Sequence, residues 1–278
     1  MLGLEVLVQQ ESNSDITFFV LYYFLGSDRM FTDTHCHLYK EYYDNIEEIK
    51  EKMDSNNIYR VINNGTEKNS NKEIIEYIDK YEWMYGAIGI HPEEVDNYSN
   101  DDILFIENNI KNNKIVAIGE IGLDYHFRDD NKKEQIELFE RQLRIAEENN
   151  IPVIIHSRDA TMDTIDILKK YKVKGVIHSF SGSYEIAKIY IKMGFLLGIN
   201  GVVTFKNCIL KEVLERIDNT NIILETDSPY LTPVPDRGKK NDPSYILEIA
   251  KFVSNIYGIS LDELSVVTED NIKRVFDF

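Results

Sequence analysis

Cysteine is scarce in this chain: Cys36 and Cys208 are the only two among 278 residues, far apart and in no CxxC or zinc-knuckle spacing. That usage fits a reduced, cytoplasmic protein with two free thiols. Long apolar runs are missing as well, and no stretch reaches the ~18 residues of a membrane-spanning helix. Residues 16–26 (ITFFVLYYFLG) have the length of a signal-peptide core, but Glu5, Glu11 and Asp15 flank them where basic residues would be needed, which argues against a secretory signal. Positive charge is also short, with 31 Lys and Arg against 48 Asp and Glu and a formal net charge of −17. That balance argues against a protein that coats nucleic acid through a broad basic surface. It does not exclude one phosphate held through bound divalent cations, because such ions invert the local sign of an acidic site. No GxGxxG follows any strand candidate, so nothing supports dinucleotide binding.

Residues 1–29 share no helical or strand period with the rest of the chain. Met30 is therefore expected as the native start, with 1–29 an extra leader outside the fold and 30–278 the folded domain; without the leader's four acids and one base the net charge is −14. From Met30 onward, apolar strand-like runs alternate with amphipathic helical segments. Strands are expected at 30–36, 59–63, 84–90, 115–121, 151–156, 174–179, 195–200 and 221–226. Helices lie between them with apolar residues three or four apart, as in Ile46, Ile49 and Met53 or Ile74, Ile78 and Tyr81. The longest is expected at 130–150, and two more close the chain at 245–257 and 261–276. Eight β-then-α units predict a parallel sheet, and closure into a single (β/α)8 TIM barrel removes its edges. A doubly wound open sheet is the runner-up.

A barrel carries its chemistry at the C-terminal ends of its strands. His35 and His37 end strand one, and because strand side chains alternate they share a face while Cys36 points away. His91 follows strand three, Glu120 ends strand four, His156 and His178 end strands five and six, and Asp227 ends strand eight. Five of the six histidines thus fall at one rim, with His126 in the loop after strand four. A single histidine at a strand end is ordinarily a hydrogen-bonded structural residue. Four histidines and two carboxylates in one barrel mouth would be poorly compensated without metal. A nitrogen and oxygen donor set without sulfur suits Zn, Mn, Fe, Co or Mg, and Glu120 has the central position from which a carboxylate bridges two ions.

The motifs Thr32-Asp33-Thr34-His35-Cys36-His37-Leu38, Gly89-Ile90-His91-Pro92, Gly119-Glu120-Ile121-Gly122-Leu123-Asp124-Tyr125, His156-Ser157-Arg158, His178-Ser179-Phe180-Ser181-Gly182 and Glu225-Thr226-Asp227-Ser228-Pro229-Tyr230-Leu231 resemble the TatD family of metal-dependent deoxyribonucleases in order and spacing. The likeness spans 30–278. It implies a TIM barrel of the amidohydrolase superfamily that hydrolyses DNA phosphodiesters, as a 3′-to-5′ exodeoxyribonuclease acting on single-stranded ends, with two divalent metals (Mg, Mn or Zn) activating water. His35, His37 and Asp227 would hold the first metal, Glu120 would bridge, and His156 and His178 would hold the second. The resemblance gives His91 to a substrate phosphate, with Arg158, Lys206 and Arg237 as further phosphate contacts. Asp242 stands where Glu is usual before the proline, outside the ligand set. Asp227 is the expected general base, and Glu225 the acid that orients a ligand.

Bland readings stand beside these. Arg158 would sit one turn into a helix and pair with Asp159, Lys206 and Arg237 would belong to a solvated loop, His126 would be a rim residue, and Tyr125 and Tyr230 either pack locally or stack on a base. Two rival functions remain. One is another hydrolase of the superfamily acting as an esterase, lactonase or aminoacyl-tRNA deacylase, though many of these bridge their metals with a carboxylated lysine where this chain has Glu120. The other is a barrel that has lost its activity and serves as an interaction protein. No membrane association and no obligate protein partner are expected.

Overall fold

In the computed structural model the described residues are 30–128, 130–276 and 278, so the expected leader at 1–29 lies outside them. The alternating pattern resolves into strands β1 (Phe31–Cys36), β2 (Ile58–Asn64), β3 (Met84–Ile88), β4 (Ile115–Asp124), β5 (Val153–Arg158), β6 (Gly175–Ile177), β7 (Leu196–Ile199) and β8 (Ile222–Leu224). Helices α1 (Ile46–Ser55), α2 (Lys68–Lys80), α3 (Asn100–Asn109), α4 (Lys132–Asn149), α5 (Thr161–Leu168), α6 (Tyr184–Lys192) and α7 (Leu210–Leu214) connect successive strands, and α8 (Ile246–Tyr257) and α9 (Leu261–Val275) follow β8. Their starts are built locally. Glu67 and Ser70 form a reciprocal capping box at α2, as do Ser260 and Glu263 at α9, so backbone N–H groups orphaned at the helix starts find acceptors. Their inner faces are the apolar stripes of the sequence: Ile46, Ile49 and Met53 in α1, Ile74 and Ile78 in α2, Phe139 and Leu143 in α4 are all buried. None of the described helices is long and apolar enough to cross a membrane.

All neighbouring strands pair in parallel and in sequence order from β1 to β8. A doubly wound sheet would reverse its strand order at a switch point, and none occurs. The remaining seam is closed at the C-terminal end, where Asp227 N donates to His35 O (2.9 Å) and His37 N to Ser228 O (2.8 Å). The result is the (β/α)8 barrel. Its lower interior is filled by Ile62, Ala87, Ala117, Ile154, Val176 and Ile223, against which Ile272, Val275 and Phe276 at the end of α9 pack.

Glu269 of α9 locks that end. It accepts from Arg60 Nη2 (2.6 Å), Tyr59 Oη (2.6 Å) and Thr32 Oγ1 (2.7 Å), three donors on β1 and β2. Removing one member of such a buried pair strands the other charge, which costs about 3–5 kcal/mol. Glu269→Ala is therefore expected to lose about 3 kcal/mol in chemical denaturation, and an unchanged midpoint and slope would contradict this view of how α9 is held.

Three boundaries differ from expectation in ways that matter for the mouth. β4 runs on to Asp124, so Glu120 lies inside the strand and not at its end. Register shifts between Ile118 and Ile121 in β4 and between Asp33 and Cys36 in β1 locally break the ladder at Glu120 and His35, and such irregularities re-aim side chains. Arg158 is the last residue of β5 and not part of a helix, because pairing with Asp124 of β4 carries the strand that far. Asp227 lies three residues past the end of β8 with φ of 57°, so a turn and not a strand end presents its carboxylate.

Candidate metal centre

Every rim histidine faces one carboxylate. Glu120, 3% exposed, lies 3.3 Å from His35 Nε2, 3.7 Å from His37 Nε2, 3.7 Å from His91 Nε2, 2.7 Å from His156 Nδ1 and 3.7 Å from His178 Nε2. Asp227 Oδ1 completes the cluster at 3.8 Å from His35, 3.5 Å from His37 and 3.8 Å from His178. The structure thus brings together all six residues expected as ligands, and His91 with them. Donor atoms of His35, His37 and Asp227 fall within 4.8 Å of one another, as do those of His91, Glu120 and His156.

The hydrogen-bond partners behind the rings show which nitrogen is free. His37 Nδ1 lies 3.0 Å from the carbonyl oxygen of Asn64, which can only accept, so Nδ1 carries the proton and the Nε2 lone pair points into the cluster. His178 Nδ1 lies 3.0 Å from Glu225 Oε1, an ion-pair contact behind the ring, while its Nε2 faces Glu120 and Asp227. Two imidazole nitrogens, His35 Nε2 and His37 Nε2, end 3.2 Å apart with their common neighbours being carboxylate oxygens. Lone pairs converging on acids fit a shared cation and have no purpose as a packed core. Cys36 takes no part, since its Sγ faces the Ile62 carbonyl at 3.5 Å. The set is therefore nitrogen and oxygen only, as divalent Mg, Mn or Zn accepts.

Comparison with known proteins agrees. Residues 32–277 match the model of a family described as TatD-related DNases. The chain belongs to this family. Among its relatives, the uncharacterized metal-dependent hydrolase YabD of Bacillus subtilis is 40% identical over 89% of this chain and 99% of its own length. YcfH of Escherichia coli, also an uncharacterized metal-dependent hydrolase, is 32% identical over 88% of this chain and 94% of its own. The crystal structure of YjjV, a TatD homologue from Escherichia coli K12, superposes with a TM-score of 0.85 at 25% identity, covering 89% of this chain and 98% of that one. The protein is accordingly a TatD-family metal-dependent hydrolase.

Charge within the TatD centre is polarised by burial and by the carboxylates. Burial holds His35 below the usual imidazole range and His91 down at about 3, so both rings are neutral. Burial alone would raise Glu120, but His178, His35 and His156 outweigh it and keep the carboxyl well below its ordinary value. Asp227 is likewise pushed up by burial and pulled lower overall by His178 and His37. The opposite balance holds at two rings. Burial lowers His156, yet Asp124 and Glu120 bring it to about 9; burial lowers His178, yet Glu225, Glu120 and Asp227 bring it to about 10.

In the metal-free protein these two imidazoles hold protons at neutral pH, and an incoming cation must displace them. Metal affinity should therefore fall as pH drops from about 9 toward about 6, with protons released on binding at neutral pH. Calorimetric titration with Mn in buffers of different ionisation enthalpy reads that release directly, and heats independent of the buffer would contradict it.

Several supporting groups were not legible in the sequence. Asp33 accepts from Thr226 N (2.9 Å), Thr226 Oγ1 (2.5 Å) and His35 N (3.2 Å), tying the first ligand strand to the segment that carries Asp227. Asp124 Oδ2 lies 2.9 Å from His156 Nε2, on the far side of the ring from Glu120. Its position at a strand end, like the histidines, was the available signal. The expected orienting role of Glu225 matches its contacts with His178 Nδ1 and Ser179 N (2.6 Å). Gly198 leaves the room for it: a Cβ there would overlap the Glu225 carboxylate. Gly122, at φ of 149°, similarly lets β4 approach the His156 carbonyl, which a Cβ would strike.

The expected phosphate contacts are arranged unequally. The Arg158 guanidinium lies 5.0 Å from the Phe127 ring centroid and that of Arg237 4.3 Å from Phe205; neither makes an ion pair within 4 Å among the described residues. Lys206 is exposed beyond the turn after β7. His126 Nδ1 pairs with Asp159 at 2.8 Å, so Asp159 engages His126 and not Arg158. Tyr125 Oη donates to Asp163 (3.0 Å), and Tyr230, 51% exposed, meets Tyr42 hydroxyl to hydroxyl at 3.0 Å.

Proposed function

We propose that this TatD protein hydrolyses phosphodiester bonds of DNA, shortening single-stranded 3′ ends as an exodeoxyribonuclease. The observation that carries the reading is the convergence of five imidazoles on the Glu120 carboxylate beside Asp227, at a mouth where Arg158 and Arg237 keep their guanidinium edges open. His35, His37 and Asp227 would hold one divalent ion, His156 and His178 a second, and Glu120 would bridge them. Divalent ions bound there supply Lewis acidity to a phosphoryl oxygen and lower the pKa of a water molecule.

The remaining work belongs to the chain's own groups. His91, neutral and 10% exposed in its side chain, donates to a non-bridging phosphate oxygen. Arg158 and Arg237 bind flanking phosphates through charge-assisted hydrogen bonds. Asp227, ionised at neutral pH, accepts at Oδ1 the proton of the attacking water. The water oxygen bonds to phosphorus as the opposite P–O bond breaks, and the leaving alkoxide takes up a proton to become the free 3′ hydroxyl of the shortened strand. Glu225 and Asp124 act through His178 and His156, holding each ring in register.

Defined single-stranded and duplex oligonucleotides, 5′-labelled and incubated with Mg, Mn or Zn, test the reading beside a panel of carboxyl esters, lactones and aminoacyl-tRNA. A ladder that shortens one nucleotide at a time from the 3′ end is the expected result. Turnover of esters or aminoacyl-tRNA with DNA left intact would overturn it.

A further inference from the structure

Phe127, in the loop between β4 and α4, is 70% exposed, more than any other large apolar side chain among the described residues. A lone exposed phenylalanine needs no explanation; the setting of this one does. The chain on either side is pinned, with Tyr125 N donating to Arg158 O (3.0 Å), His126 N to Asp124 Oδ1 (2.8 Å), and Arg128 paired with Asp96 (2.5 Å) and Asp130 (2.8 Å). Tyr125, His126 and Arg128 are held and the ring of Phe127 is left out.

The ring meets His126, 4.9 Å away between centroids, and Arg158. Arg158 lies against it and comes two residues after the ligand-side His156 on β5, so both side chains leave the same face of the strand. Register pairs Gly122 with His156 and Asp124 with Arg158, so the chain that leads to Phe127 leaves β4 beside Arg158. Phe127 also walls a cavity of about 180 Å³ with Glu93, Asp124, Arg128, Asn131 and Gln135, of which Asp124 lies 2.9 Å from His156 and Glu93 3.7 Å from His91. A guanidinium that lies over an aromatic ring and makes no ion pair within 4 Å among the described residues offers the two contacts that the distinct parts of a nucleotide need, a ring for the base and charged donors for the phosphate.

We infer that Phe127 and Arg158 grip one nucleotide of the substrate strand, the ring stacking on its base and the guanidinium holding its phosphate. This rests on the proposed nuclease reading and adds to it the base platform, hence the reason for a single-stranded end: a base inside a duplex is already stacked on both faces and must leave the helix to reach Phe127. Stacking is indifferent to base identity, so the grip selects unpaired DNA without selecting sequence.

The test uses the full chain, wild type, Phe127→Ala and Phe127→Trp, with single-stranded oligonucleotides carrying 2-aminopurine or an abasic site at each of the last three 3′ positions. The wild type should quench 2-aminopurine at one position, with chelator-treated protein as well as in turnover. Phe127→Ala should lose that quench and raise KM for single strands roughly 5- to 150-fold with kcat largely kept, the range of one lost base–aromatic stack; Phe127→Trp should retain both. The abasic site at that position should cost the wild type the same factor and the alanine variant almost nothing. Preference for single strands over blunt duplexes should shrink in Phe127→Ala. A wild type that cleaves DNA while Phe127→Ala keeps its quench and KM overturns the base platform alone. A wild type that neither binds nor cleaves DNA overturns the nuclease reading beneath it.

Discussion

Replacing Glu120 by glutamine is expected to lower kcat by at least about 10³-fold while leaving the barrel folded. The substitution keeps the shape of the side chain and removes the charge that all five rim imidazoles face within 3.7 Å. Among the described residues no other carboxylate of the mouth pairs with both His35 and His156, so no neighbour can take over. Steady-state rates at saturating Mg or Mn, beside a circular-dichroism melt, read the two effects separately. Activity within about tenfold of wild type would remove Glu120 from the centre of the mechanism.

Asp227→Asn comes next, with a fall in kcat of about 10²–10⁴-fold and KM for the oligonucleotide little changed. The amide keeps an oxygen toward His35, His37 and His178 but has no basic site to receive the proton of water. Two roles can be told apart by titrating the metal. A loss that persists at saturating metal marks a missing base, whereas recovery of wild-type turnover at high metal would reduce Asp227 to a ligand.

Much of the mouth was readable from the chain because two local rules coincide there. Alternation along a strand puts His35 and His37 on one face, and the β-then-α period puts His91, His156 and His178 after strands three, five and six at one rim. Both rules need only the nearest few residues. Glu120 shows where they stop: its strand continues four residues further, and the register shift that turns its carboxylate inward depends on how β4 meets β5. Arg158 departs from its expected helix for the same reason, since only pairing with Asp124 keeps β5 extended that far. Asp33 lies 193 residues from Thr226, and no local pattern reports a bond across that separation. Glu225 was reachable because it shares strand parity with Asp227, but the space opposite it at Gly198 belongs to another strand.

The acidity of the whole chain and the chemistry of its mouth are also reconciled by position. Carboxylates dominate the composition, yet Arg158 and Arg237 at the rim rest on aromatic rings and not on acids, which preserves their donors for a phosphate. Net charge is a poor guide to the local chemistry of such a site.

A bridged pair of ions is tested by counting them. Elemental analysis of the dialysed full chain after loading with Mn should give two ions per wild-type protein and one or fewer in Glu120→Gln. Two ions retained in the variant, or a wild type that never binds more than one, would contradict a carboxylate that bridges a pair.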